Sequence, residues 1–290
     1  MRNGLVKKAA RRFIPGERVE DALSVAAPLR RRGIGIVLTQ LGENVSDARQ
    51  ADDVAQHYAG VLDAIRARGL DADISIKLTQ LGLDLGEELC YRHLRSLAER
   101  AAPDRRFIWI DMEQYGYVDR TLRLFGRIAS EFPTVGVCLQ AYLHRTENDL
   151  RAIDRVGLGV RLVKGAYRES PSVAVQRRQD VAARYLALAG LMLDRAAAGE
   201  GWRAVFGTHD PAMIAGVRDR AGEIGRSRDT YEFHMLYGIE PAAQTRLAAE
   251  GHRVRALISY GEQWFPWYMR RLAERPANMW LVARSMLGSE

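Results

Sequence analysis

Near one end of this 290-residue chain, Trp267, Arg270, Arg271 and Glu274 follow one another at intervals of three, one and three residues. On a helix, steps of three and four return to the same side, so these groups share one face. Two neighbouring guanidiniums there can fork around a single carboxylate or phosphate. An aromatic wall of Trp264, Phe265, Trp267 and Tyr268 beside them suits a small anion that is partly apolar.

A second set of polar residues lies within or just after short apolar runs. Lys77 interrupts Ile74-Ser75-Ile76-Lys77-Leu78, and Asp111 interrupts Trp109-Ile110-Asp111-Met112-Glu113. Gln140 ends Val137-Cys138-Leu139-Gln140, and Arg161 and Lys164 bracket Leu162-Val163. Thr208, His209 and Asp210 follow Phe206-Gly207, and His234 precedes Met235-Leu236. Each has an ordinary explanation alone. Lys77 or Arg161 could sit at a wet rim, Asp111 could cap a helix, and His209 could be a hydrogen-bonded core histidine. Burying an unpaired charge costs roughly several kcal/mol, so their recurrence on successive runs points to one shared site.

Other chemistries fit poorly. His144, His209 and His234 are isolated, and no His-x-His pair offers a metal site. No serine or cysteine occupies a nucleophile elbow. Cys90 and Cys138 lack metal-ligand spacing and read as buried free thiols. The net charge is +7, from 43 basic and 36 acidic residues. Outside the C-terminal segment the arginines are scattered, with one tight cluster at Arg30-Arg31-Arg32. That pattern favours a solvated Arg-rich surface over a nucleic-acid stripe. No apolar run is long enough to span a bilayer, and Lys7-Lys8 and Arg11-Arg12 lead into no signal-peptide core. The expectation is a cytoplasmic protein, with peripheral attachment at the inner membrane face left open.

The elements that must position these residues are legible as eight β-type runs: 34–39, 74–79, 107–112, 135–141, 159–164, 205–208, 231–236 and 254–259. Helical patterns separate them. Over 52–68 the apolar positions are Val54, Tyr58, Val61, Leu62 and Ile65; over 88–100 they are Leu89, Leu94 and Leu97, with His93 on the same face. Eight β/α repeats predict an α/β protein with a closed (β/α)8 barrel of the TIM type. An open doubly wound sheet is the competitor, and no Gly-x-Gly-x-x-Gly follows the first run to support its dinucleotide-binding form. Residues 34–290 read as one catalytic barrel. Residues 1–33 read as a helical leader, with 16–32 as one extra helix closing the barrel bottom.

In this order, the strand-end motifs and the Arg270-Arg271 helix resemble the proline dehydrogenase family, FAD-dependent enzymes, in their bacterial monofunctional form. The resemblance covers roughly residues 30–285. It implies that Lys77 in Lys77-Leu78-Thr79 helps bind a substrate carboxylate and that Asp111 lies in the active site beside Met112. It also implies that Gln140 contacts flavin, and that Arg161 lies near the flavin ring. Lys164, Gly165, Ala166 and Tyr167 then contribute to FAD and substrate contacts, as do Thr208 and His209 to FAD. Leu236 would touch the substrate ring. Tyr268, Arg270, Arg271 and Glu274 match the family's helix, with both arginines on the carboxylate. The implied reaction is oxidation of L-proline to 1-pyrroline-5-carboxylate. A quinone is the implied acceptor, and a separate pyrroline-carboxylate dehydrogenase the implied partner. Two departures stand out. Leu257 occupies a position where the family usually has tyrosine, leaving a roomier ring pocket, and His234 replaces a common glutamine. They bring in 4-hydroxyproline or another cyclic analogue as the alternative substrate; separately, a non-catalytic flavin-binding barrel is the alternative function.

Overall fold

A computed structural model of the chain describes residues 10–153, 158–197 and 203–265. Tyr268, Arg270, Arg271 and Glu274 therefore lie outside the described residues. The strands are β1 (Gly35–Gln40), β2 (Ala72–Ile76), β3 (Ile108–Ile110), β4 (Val135–Gln140), β5 (Gly159–Val163), β6 (Arg203–Gly207), β7 (Tyr231–Leu236) and β8 (Arg253–Tyr260). They form a closed parallel barrel in sequence order, with β1 paired to β8. The expected barrel is thus the observed one.

Strand alternation explains why this sequence closes in this way. Successive side chains point to opposite faces. One set, including Ile36, Leu38, Ile74, Ile76, Ile108, Ile110, Leu162 and Phe233, packs in the core that also takes in the surrounding helices. A typical helix, Ala48–Ala67, contributes Ala51, Tyr58, Val61, Leu62 and Ile65 at three- and four-residue steps. Its first turn is capped by Asp47, whose carboxylate accepts from the Gln50 N–H at 2.9 Å. The alternate positions of the strands form a separate, much smaller apolar cluster of Val37, Trp109 and Val205, with Phe107 and Leu257 against it. The polar strand residues Asp73, Ser75, Arg161, Glu232, His234 and Arg255 share that second parity.

Trp109 needs space that only glycine leaves. A Cβ at Gly136 would lie 2.6 Å from the indole, and one at Gly159 would lie 2.7 Å from it. The indole N–H reaches Asp73 Oδ2 at 3.3 Å. Asp73 belongs to a charge cluster on the side of the strand N-termini. There Arg203 forms ion pairs with Asp73 at 2.9 Å and Glu232 at 2.8 Å, and Arg255 with Glu232 at 2.7 Å and Asp71 at 2.6 Å. The cluster borders a cavity of about 850 Å³.

Two expectations need correction. The leader is not one helix closing the bottom. Over 16–32 it forms two short helices, Val19–Ser24 and Ala26–Arg30. Pro28 cannot donate to the Ser24 carbonyl and its ring crowds that carbonyl, so a continuous ladder is broken there. The first described residues of the leader pass the C-terminal end of the barrel. The Gly261 N–H faces the Gly16 carbonyl at 3.4 Å, and the Arg12 carbonyl abuts Gly238 just after β7. The leader's later residues run to the strand N-termini, where Ala26, Arg30 and Gly33 border a smaller cavity with Leu70 and Asp71. The second correction concerns boundaries. β2 begins earlier than expected and ends at Ile76, so Lys77 starts the 3-10 turn Leu78–Leu81 rather than sitting within the strand. Asp111 likewise follows β3, with its N–H on the Ile76 carbonyl at 2.8 Å. Among the described residues no helix is long and apolar enough to cross a membrane.

Filling the space beside Trp109 tests this packing. Gly136→Val should lower stability by about 1–3 kcal/mol, the usual cost of overpacking a filled core. A urea unfolding midpoint equal to that of the wild type would show that the indole can move aside.

Candidate active site

Arg161 projects from β5 into the barrel with 3% of its surface exposed. A guanidinium in that position needs both a counter-charge and partners for its N–H groups. Nη2 donates to Ser75 Oγ at 2.8 Å and to Asp111 Oδ1. Ser75 Oγ donates in turn to Asp111 Oδ1 at 2.8 Å. Nη1 approaches His234 Nδ1 at 3.5 Å, and the guanidinium carbon lies 5.2 Å from the Trp109 ring centre. Asp111 is therefore an ion-pair partner rather than a helix cap, and Arg161 is interior rather than a rim residue.

His234 is fixed from its other side. Its Nε2 faces Glu232 Oε1 at 3.3 Å, and its ring meets Trp109 edge-on at 5.3 Å. Burial pushes the imidazole down to about 4, outweighing the pull of Glu232. Burial alone would raise the Glu232 carboxyl, but Arg203 and Arg255 overcome it and hold the group well below the usual range.

A second polar set joins the ends of β2, β3 and β4. Glu113 is buried and accepts from Thr79 twice, from N–H at 3.2 Å and from Oγ1 at 2.5 Å. Burial pushes its carboxyl up to about 7, against the Thr79 bonds and the nearby Lys77, while Glu43 adds to the rise. Gln140 Nε2 donates to the Glu113 carbonyl at 2.9 Å. The ammonium of half-buried Lys77 makes no hydrogen bond or ion pair among the described residues.

A third set lies past β5 and β6. Lys164 Nζ is 2.6 Å from Asp210 Oδ2, and that bond holds the Asp210 carboxyl below its ordinary value. Asp210 also caps the helix Pro211–Glu223 through the Ala212 N–H at 3.0 Å. Thr208 Oγ1 accepts from the Asp210 N–H at 3.1 Å. His209 Nε2 accepts from the Leu236 N–H at 2.7 Å, which places its ring proton on Nδ1. Gly165 has φ +122°, and a Cβ there would lie 2.3 Å from the Tyr142 ring, so only glycine allows this turn. Ala166 is exposed and Tyr167 half-buried on the loop that follows. Met112 is buried within the larger apolar cluster at the end of β3. Leu236 and Leu257 are register partners on β7 and β8.

Sequence reading missed Ser75, Glu232, Glu43 and the role of Glu113. A signal was present for two of them. Ser75 lies two residues before Lys77, and Glu232 two before His234, so strand parity alone puts each on the same face as its neighbour. The Thr79–Glu113 contact joins residues 34 apart and has no local signal.

The C-terminal mouth is rich in polar groups. Gln40 Oε1 and Gln80 Oε1 are buried there without a hydrogen bond among the described residues. Gln140, Lys164, Thr208 and His209 follow one another on the ends of β4, β5 and β6. Such a set of donors, acceptors and one ammonium fits a polar, anionic cofactor such as a flavin dinucleotide.

Parallel barrel, buried guanidinium and polar mouth define an α/β-barrel enzyme whose site lies at the C-terminal ends of the strands. A family model described as proline dehydrogenase matches residues 22–284. Proline dehydrogenase 1 of Bacillus subtilis strain 168 is 37% identical over 278 residues, covering 96% of this chain and 90% of that protein. Proline dehydrogenase of Deinococcus radiodurans is 35% identical over 283 residues, covering 96% and 90%. Among solved structures, proline utilization A from Bdellovibrio bacteriovorus inactivated by N-propargylglycine superposes with a TM-score of 0.84 at 23% identity. That match covers 92% of this chain but 32% of the larger one, and shows a shared fold. The chain belongs to the proline dehydrogenase family.

Glu113 gives a pH prediction. Its folded-state value lies above the ordinary 4.5, so its contribution to stability is present below that value and is lost as pH rises through about 7. Between pH 5 and pH 8, the thermal midpoint of the wild type should fall more than that of Glu113→Gln. Parallel midpoint curves would show that the carboxyl is not held protonated.

Proposed function

We propose that this barrel oxidises L-proline to 1-pyrroline-5-carboxylate with FAD bound at its C-terminal mouth. Family membership supports the reaction, and the buried Arg161–Asp111–Ser75 triangle beneath that mouth is the observation that carries the assignment of the site. FAD, when bound, supplies the acceptor for the hydride leaving C5 of the ring. Gln140, Lys164, Gly165, Ala166, Tyr167, Thr208 and His209 are the residues we assign to holding it, with Met112 and Glu274 beside them.

Lys77, Arg270 and Arg271 would grip the substrate carboxylate. Three positive groups exceed one negative charge; Glu274 offsets part of the surplus, and Asp111 balances Arg161 beside them. The same cations disfavour an ammonium on the substrate, keeping the amine neutral with its lone pair available. Arg161 contributes a buried positive charge whose direction Asp111 and Ser75 set. Leu236, Leu257 and Tyr268 would exclude water and shape the ring pocket. Electrons would pass on to a quinone, which brings the protein to the inner membrane face. A separate pyrroline-carboxylate dehydrogenase would consume the product.

Leu257 favours a second reading of substrate range. It packs against Val37, Trp109 and Val205, and no aromatic ring extends from that position. A ring bearing a hydroxyl, such as 4-hydroxyproline, is the alternative it accommodates.

Purified protein should show a flavin spectrum that bleaches when L-proline is added without oxygen. A spectrum that persists with proline and bleaches with 4-hydroxyproline would move the assignment to that ring. A spectrum that bleaches with neither would identify a flavin-binding barrel without this activity. Arg271→Met should raise KM for proline by about 100-fold, the scale expected from losing one charge-assisted clamp, with FAD still bound. Unchanged kinetics would remove Arg271 from the clamp.

A further inference from the structure

His234 makes contacts in two directions that no motif explains. It lies in the barrel interior, 4% exposed, between Arg161 of the site and Glu232 of the charge cluster near the strand N-termini. Glu232 accepts from Arg203 and lies 2.7 Å from Arg255, so its position is fixed from below. The carboxylate draws a proton onto His234 Nε2, leaving the lone pair on Nδ1. That lone pair points at Arg161 Nη1, which can only donate. The Trp109 ring packs edge-on against the imidazole and prevents it from swinging away. The opposite tautomer would set an N–H against the guanidinium and leave Glu232 short of a donor.

Arg161 Nη2 is already committed to Ser75 and Asp111. A guanidinium is planar, so fixing its second terminal nitrogen fixes the plane. We propose that His234 is a positioning residue: held in one tautomer by Glu232, it sets the plane of the Arg161 guanidinium against Asp111. This rests on the assignment of Arg161 to the active site made above. It gives the charge cluster at the far end of the barrel a role in the reaction through one imidazole.

The test compares His234→Leu, His234→Asn and His234→Gln in the flavin-loaded enzyme, with Arg161→Gln as reference. Leucine offers neither acceptor nor donor. Asparagine keeps an amide but is too short to bridge Arg161 and Glu232, and it serves if the leucine variant does not fold. Glutamine can accept from Arg161 and donate to Glu232 at once. The rate constant for flavin reduction by proline should fall about tenfold in the leucine and asparagine variants, the scale of one charge-assisted hydrogen bond. KM for proline and the amount of bound FAD should stay close to wild type, and glutamine should restore most of the lost rate. The midpoint potential of the bound flavin should shift in the same two variants and return with glutamine. Wild-type rates and potentials in the leucine or asparagine variant, with Arg161→Gln impaired, would overturn the proposal. An equal loss in the glutamine variant would overturn it too, since that loss would follow from packing alone. If Arg161→Gln itself left the rate unchanged, the site assignment would fail instead.

Discussion

A positive charge inside a closed barrel is the constraint on which this structure depends. Arg161 cannot reach water, and a guanidinium removed from water without partners costs several kcal/mol, roughly half of what a domain of this kind has in net stability. Asp111, Ser75 and His234 are arranged around it, each from a different strand or strand end. The interior is polar because one charge demanded a partner, and each partner brought its own demands.

The same logic builds the other end of the barrel. Asp73 and Glu232 are buried carboxylates, and Arg203 and Arg255 balance them. Trp109 lies between this cluster and Arg161, with space provided by Gly136 and Gly159. Its faces receive guanidiniums from Arg161 and Arg203, both 5.2 Å from the ring centre, which suits the negative faces of an indole. The two charged layers are thus separated by one aromatic side chain and bridged by one imidazole. Cys138, beside Arg161 in register, is kept inert because burial raises its thiol.

At the mouth the groups are less tightly paired. Lys77 lacks a described ion pair, Glu113 is held near neutrality by burial, and two glutamine oxygens lack described partners. A site that must accept a carboxylate and a cofactor needs groups whose partners arrive with the ligand. The contrast with the lower cluster, where every buried carboxylate faces a guanidinium, separates the part that supports the barrel from the part that serves the reaction.

Much of this was legible in the order of residues. Eight runs with helical spacing between them determine the barrel, because each strand has one face of apolar residues that only surrounding helices can cover. Lys77, Asp111, Gln140 and Arg161 could be named because a charge or amide in an apolar run is conspicuous. The leader could not be read correctly, since Pro28 breaks its helix and the place of the pieces depends on β7 and β8. The partners were equally hidden. Ser75 looks like any strand serine, and Asp111 like any cap, until the pairing of β2 with β3 brings the two, 36 residues apart in sequence, within one hydrogen bond. Local sequence determined which side each residue faces, because alternation is a property of the backbone. Which residues meet across the interior was decided only by the closed barrel, because strand register and a shared buried charge are long-range constraints.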